Sequence, residues 1–169
     1  VETETTIVGN AVVNGSDSTA APAAPAATPP GPAEMQAEPE QNIPSLLNAY
    51  RAATDTMDRE RFAFDIEAIG TPEAGAAFAS LASTESDEEL KSLLLTLLAD
   101  SEATVETKIA AFAEALRPGQ SEMVREAAAD SLQGVEDPRT IAVWRQFLSD
   151  PLVGDIAKDA IEFLESRKE

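Results

Sequence analysis

The chain has 169 residues, 43% of them hydrophobic, and sets 31 Asp and Glu against 12 Lys and Arg, a formal net charge of -19. That length fits one compact domain plus a tail. The acidic balance argues against nucleic acid and anionic membrane surfaces, both of which are held through clustered Lys and Arg. The absence of Cys and His removes thiolate nucleophiles, disulfides, imidazole bases and the usual zinc or haem ligands together.

From Val1 to about Asn42 the sequence has six acids and no base, with an Ala/Pro tract over Ala20–Ala33. Prolines 22, 25, 29, 30, 32, 39 and 44 are expected to deny this segment a helix and favour extended coil, so residues 1–42 are expected to be a disordered acidic linker or tail. Within it, Thr6–Val13 is β-prone and apolar, a fragment end or a docking strand, and Asn14-Gly15-Ser16-Asp17 reads as a turn. Val1 in place of Met predicts a processed or excised fragment. An Ala/Pro spacer suits a domain held away from a membrane or wall anchor, so an extracytoplasmic, bacterial setting is favoured over a cytoplasmic one. No apolar run reaches the ~20 residues that span a bilayer.

Beyond residue 42 a helix-opening signal returns about every 33 residues, the mark of stacked helical pairs: Thr71-Pro72, Thr104 and Asp137-Pro138. Periodicity predicts eight helices. The first places Leu46, Leu47 and Tyr50 on one stripe; the second, from Asp58 to about Ile69, carries Phe62, Ile66 and Ile69. The third opens on Thr71 with Pro72 at its first position and turns Ala74, Ala77, Phe78, Leu81 and Ala82 inward. Ser86-Asp87-Glu88-Glu89 reads as a capping box for a fourth helix with Leu90, Leu93, Leu94, Leu97 and Leu98, the expected centre of the core. The fifth uses Val105, Ile109, Phe112, Ala113 and Leu116 and stops at Pro118-Gly119; the sixth, from Ser121, buries Val124, Ala127, Ala128 and Leu132. Asp137-Pro138 opens a seventh with Ile141, Trp144, Phe147 and Leu148, and Asp150-Pro151 an eighth with Ile156, Ala157, Ala160, Ile161 and Leu164. Arg167 and Lys168 then complement the negative end of that helix dipole.

The turns Ala68-Ile69-Gly70-Thr71-Pro72-Glu73-Ala74 and Gly134-Val135-Glu136-Asp137-Pro138-Arg139-Thr140, with Val124-Arg125-Glu126-Ala127-Ala128 and, more weakly, Arg61-Phe62-Ala63, make residues 43–169 resemble the HEAT-like repeats. The middle unit departs from the pattern, with Val105 where a Pro is expected and Arg117-Pro118-Gly119-Gln120 as its turn. The resemblance implies an all-α, short right-handed α-solenoid of about four helix pairs.

Candidate chemistry is sparse. Glu85, Asp87, Glu88 and Glu89 form the densest polar cluster, but they lack the spacing of a calcium loop and suit a helix N-terminus for dipole and capping reasons. No Gly-rich phosphate loop, Ser-x-x-Lys or Gly-x-Ser-x-Gly occurs. Trp144, the single tryptophan, falls on a core stripe and becomes a recognition anchor only if its indole is partly exposed. Arg51, Arg59, Arg61, Arg125, Arg139 and Arg145 read as ion-pair partners among more numerous acids.

The main expectation is therefore a non-catalytic protein–protein interaction scaffold. It is an acidic module on a spacer, without cofactor or metal and not an enzyme, meeting a basic protein partner through Glu85, Asp87, Glu88, Glu89 and Trp144. The alternative is the ligand-handling side of the same resemblance, a subunit of chromophore-lyase type or another small-ligand-handling protein. A repeat-built DNA-repair glycosylase is disfavoured, since it needs a basic concave face. High acidity with only four Lys also suits a protein adapted to salt.

Overall fold

The computed structural model describes residues 42–167, and the expectations for the Ala/Pro tail, for Thr6–Val13, for Asn14–Asp17 and for Lys168 lie outside them. The described residues form eight helices and no strand: α1 (Ile43–Ala52), α2 (Thr56–Glu67), α3 (Pro72–Thr84), α4 (Glu88–Asp100), α5 (Val105–Ala115), α6 (Glu122–Gln133), α7 (Thr140–Trp144) and α8 (Gly154–Ser166). Successive helices pair, α1 on α2, α3 on α4, α5 on α6 and α7 on α8, while α3 meets α1 and α5, and α4 meets α2 and α6. Two layers of helices thus stack into a short, HEAT-like α-solenoid. None of the described helices is long and apolar enough to cross a membrane.

Side-chain caps begin most of these helices. Asn42, Asp55, Thr104 and Ser121 accept backbone N–H bonds from the first turns of α1, α2, α5 and α6, and Pro72 opens α3 behind Thr71. The fourth helix departs from the expected capping box. Asp87 is the cap, accepting from Glu89 N at 3.1 Å and Leu90 N at 3.2 Å, because the backbone N–H groups of Ser86 and Asp87 are already taken by Glu85 Oε1. An ionised cap also answers the helix dipole better than a hydroxyl does.

The core runs unbroken from Leu46 to Leu164. Its centre is α4, where Leu95 is buried along with Leu90, Leu94, Leu97 and Leu98. That stripe is wider than a surface helix shows, since α4 packs against α3, α6 and α2.

A ladder of side chains ties each pair to the next. Arg59 on α2 donates through Nε to the Ala53 carbonyl and through Nη1 to Glu85, in the turn of the following pair. Arg125 on α6 repeats the arrangement, through Nε to the Leu116 carbonyl at 3.0 Å and through Nη2 to Asp150 at 2.5 Å. Between them, Lys91 on α4 reaches Gln120 at 2.9 Å. The middle rung ends on a neutral amide because the irregular turn Arg117–Gln120 supplies no carboxylate there. The resemblance pointed to Arg61, but Arg59 fills this role, and Arg61 is an exposed partner of Asp58.

The last pair deviates most. Only Thr140–Trp144 is α-helical where a helix over about 138–148 is expected, and its flanks are tighter turns in which Ile141 N bonds Pro138 O, Gln146 N bonds Val143 O and Phe147 N bonds Trp144 O. These three-residue spacings are 3₁₀ geometry. Asp150 then accepts from Leu152 and Val153 N–H, and α8 settles into regular form only at Gly154.

Trp144 is fully buried, and its indole N–H has no hydrogen-bond partner among the described residues. An orphaned buried donor costs about 1–3 kcal/mol. Trp144→Phe removes that cost along with some packing area, so it is expected to change stability by no more than about 1 kcal/mol, well short of the ~3–5 kcal/mol typical of truncating a buried Trp to Ala. Urea unfolding of the two variants checks the difference; a Phe variant as damaged as the Ala variant contradicts the unpaired indole.

Candidate functional site: a groove between α7 and α8

A shallow, solvent-open depression of about 620 Å³ lies beside the last pair, lined by Arg145, Leu148, Lys158, Ile161, Glu162, Glu165 and Ser166. Its long wall is one face of α8, where Lys158, Ile161, Glu162 and Glu165 recur at helical spacing. The facing wall comes from the 3₁₀ turns that follow α7, which carry Arg145 and Leu148 outward. Leu148 is exposed and Ile161 half-buried, giving the groove an apolar floor.

Two cations flank that floor. Arg145 crosses the groove to Glu165 at 3.1 Å, and Lys158 pairs with Asp155 at 2.7 Å. The Lys158–Asp155 hydrogen bond, helped by the attraction of the charges, raises the lysine pKa and lowers that of the aspartate. Glu162 has no ionic partner among the described residues. Each cation is held by one exposed carboxylate, which a ligand carboxylate can replace at little cost, since solvent-exposed pairs are worth about 0–1 kcal/mol.

The residues expected to bind a partner are not gathered on one surface. Glu85 is held inside the ladder: its side chain is 5% exposed, and it accepts the Tyr50 hydroxyl at 2.7 Å as well as Arg59. Burial alone would raise its pKa, but the Asp87 N–H, the Tyr50 hydroxyl, the Ser86 N–H and Arg59 together pull it below the ordinary value. Burial, then the bond to Glu85, pushes the Tyr50 phenol upward. Asp87 is the α4 cap, Glu88 and Glu89 are exposed in its first turn, and Trp144 is buried on α7. Among the described residues no group of three or more carboxylates is placed to hold a metal ion.

The groove residues are hidden in the sequence for a physical reason. Leu148 and Ile161 fall on stripes that read as core, and Arg145 reads as an ion-pair partner. The stripe of α8, with Ile156 and Ile161 beside the core positions Ala157, Ala160 and Leu164, is wider than one partner helix can cover, and that excess is the available signal.

No family model matches the chain, and no curated protein matches it. A solved structure that does is that of human deoxyhypusine hydroxylase in complex with glycerol, a HEAT-repeat helical protein, with a TM-score of 0.60 and 21% identity over 75% of this chain. The match spans 43% of that chain. This overturns the expectation of a non-catalytic scaffold and the exclusion of enzymes: the solved protein with this fold is an enzyme in complex with a small molecule, so a repeat framework of this kind is no argument against chemistry or ligand handling. At this identity the likeness establishes the fold, an all-α solenoid shared with that hydroxylase.

Proposed function

We propose that the protein is a HEAT-like, small-ligand-handling module, and that its ligand is an aliphatic molecule with an acidic head group seated in the α7–α8 groove. The observation that carries this reading is the combination of an apolar floor, Leu148 and Ile161, with Arg145 and Lys158 at its margins, each paired with an exposed carboxylate, in an open surface depression that Glu162 and Glu165 also line. The likeness to a hydroxylase in complex with glycerol supports ligand handling over scaffolding. A stacked chromophore suits the groove less well than an aliphatic chain, because no aromatic side chain lines it. An Ala/Pro spacer ahead of the domain supports an extracytoplasmic setting.

Calorimetric titration with octanoate, octanol and acetate tests the reading. Octanoate is expected to bind with Kd near or below about 1 mM, or ~4 kcal/mol, since each buried methylene contributes about 0.8 kcal/mol. Acetate lacks the chain and octanol the charge, so both are expected to bind at least about tenfold more weakly. Leu148→Asp, a change at an exposed position, is expected to abolish binding and leave the fold intact. Equal heats from all three ligands, or full affinity in Leu148→Asp, would overturn the assignment.

A further inference from the structure

We infer a second ligand site, for a single halide ion, where the middle rung of the ladder stands beside a small cavity lined from α3, α4 and α5. The three rungs share one geometry: a cation on the second helix of a pair reaches the turn inside the next pair. In the outer two the acceptor is a carboxylate that also takes two backbone N–H groups, those of Ser86 and Asp87 for Glu85 and those of Leu152 and Val153 for Asp150. The middle rung has Gln120 instead, whose Oε1 accepts Lys91 at 2.9 Å and nothing else among the described residues.

Lys91 therefore holds the one ladder cation without a counter-charge among the described residues. The residue is half-buried, and an ammonium with part of its water removed gains from any anion that reaches it. Lys91 and Gln120 both line a cavity of about 70 Å³, whose wall includes the buried Ala82, Leu95 and Ala115.

The other polar groups at this cavity are engaged. The Ser83 hydroxyl donates to the Ser80 carbonyl at 2.8 Å, and exposed Glu114 pairs with Arg117 at 3.0 Å. The donors left to an occupant are the Lys91 ammonium and the Gln120 amide, whose N–H groups form no hydrogen bond among the described residues. At ~30 Å³ for each water-sized occupant, the space suits a monatomic ion and is too small for an aliphatic chain. Two donors, one of them charged, beside a wall of methyl groups fit a weakly hydrated halide such as chloride or bromide, which takes the place of the carboxylate that the outer rungs carry. The site shares no residue with the α7–α8 groove.

The experiment is a chlorine NMR linewidth titration of the full chain with NaCl, with sodium gluconate holding the ionic strength constant. The net charge of -19 keeps anions off the surface at large, so a saturable excess linewidth that bromide displaces is expected from this site. Lys91→Met is expected to weaken chloride binding at least about tenfold. Gln120→Glu restores to the middle rung the carboxylate of the other two, so it is expected to keep the fold and to abolish the excess linewidth, while Arg51→Gln on the exposed surface of α1 leaves it unchanged. A linewidth that rises without saturating, or that persists in folded Gln120→Glu, would overturn the site.

Discussion

Asp150→Ala is expected to remove about 3–5 kcal/mol of folding stability, the usual result of stripping one partner from a buried ion pair. Arg125 and Asp150 are both close to 90% buried, with side chains 11% and 12% exposed. Without the carboxylate the guanidinium keeps its bond to the Leu116 carbonyl but stays charged in a poorly solvated place. The Leu152 and Val153 N–H groups that Asp150 caps lose their acceptor as well. Arg125→Met removes the stranded charge, so the double variant Arg125→Met/Asp150→Ala is expected to be more stable than Asp150→Ala alone. Urea midpoints at unchanged m measure this; additive losses would show that the two residues are not coupled.

The same rungs set an acid limit. Burial by itself would raise the Asp150 pKa, yet the Leu152 N–H, Arg125 and the Val153 N–H bring it below its ordinary value, and Glu85 is lowered likewise. A carboxylate depressed in the fold contributes stability that is complete above its unfolded pKa of about 4 and is lost as pH falls through the folded value. Unfolding is therefore expected to become easier below about pH 4, and Asp150→Ala is expected to flatten that dependence. Tyr50 acts at the other extreme. With its phenol pKa raised in the fold, its contribution is present below the unfolded value of about 10 and declines above it.

Gly75→Ala is expected to destabilise by about 1–3 kcal/mol, the cost of overpacking a filled interface, although the same exchange in an open helix gains about 1 kcal/mol. The sign reverses because a Cβ on Gly75 would stand 2.4 Å from Ala103 Cβ and 2.6 Å from Ser101 Oγ. Gly75 lies in α3, where the helix meets the turn joining α4 to α5, and the missing side chain sets how closely successive pairs stack. Gly70 offers the contrast. Its φ of 64° favours glycine, but an added Cβ there meets nothing within 4 Å. Gly70→Ala is therefore expected to cost only the backbone strain, about 1 kcal/mol. A more stable Gly75→Ala protein would mean that the pairs are not packed this closely.

The helices are legible in the sequence because caps and apolar spacing act locally. Asn42, Asp55, Thr104 and Ser121 work through bonds to residues two or three positions on, which a linear sequence displays. The ladder is half legible: Arg125 stands out, but Arg59 and Lys91 meet Glu85 and Gln120 at 26 and 29 residues along the chain, distances that no local pattern exposes. The seventh helix comes out too long from sequence because Asp137-Pro138 opens α and 3₁₀ turns alike. Trp144 reads as core from its stripe and is buried, whereas Glu85 and Glu88 can be placed in the chain but not ranked by exposure. The groove depends on which side of α8 lacks a neighbour, a property of the stack and not of the helix.

Backbone amide mapping with octanoate bears most directly on the ligand groove. Saturable shifts confined to Arg145, Leu148, Lys158, Ile161 and Glu165, abolished in Leu148→Asp and weakened in Arg145→Met, are the result predicted. Shifts that never saturate, or that centre on another face of the solenoid, would contradict a ligand site between α7 and α8.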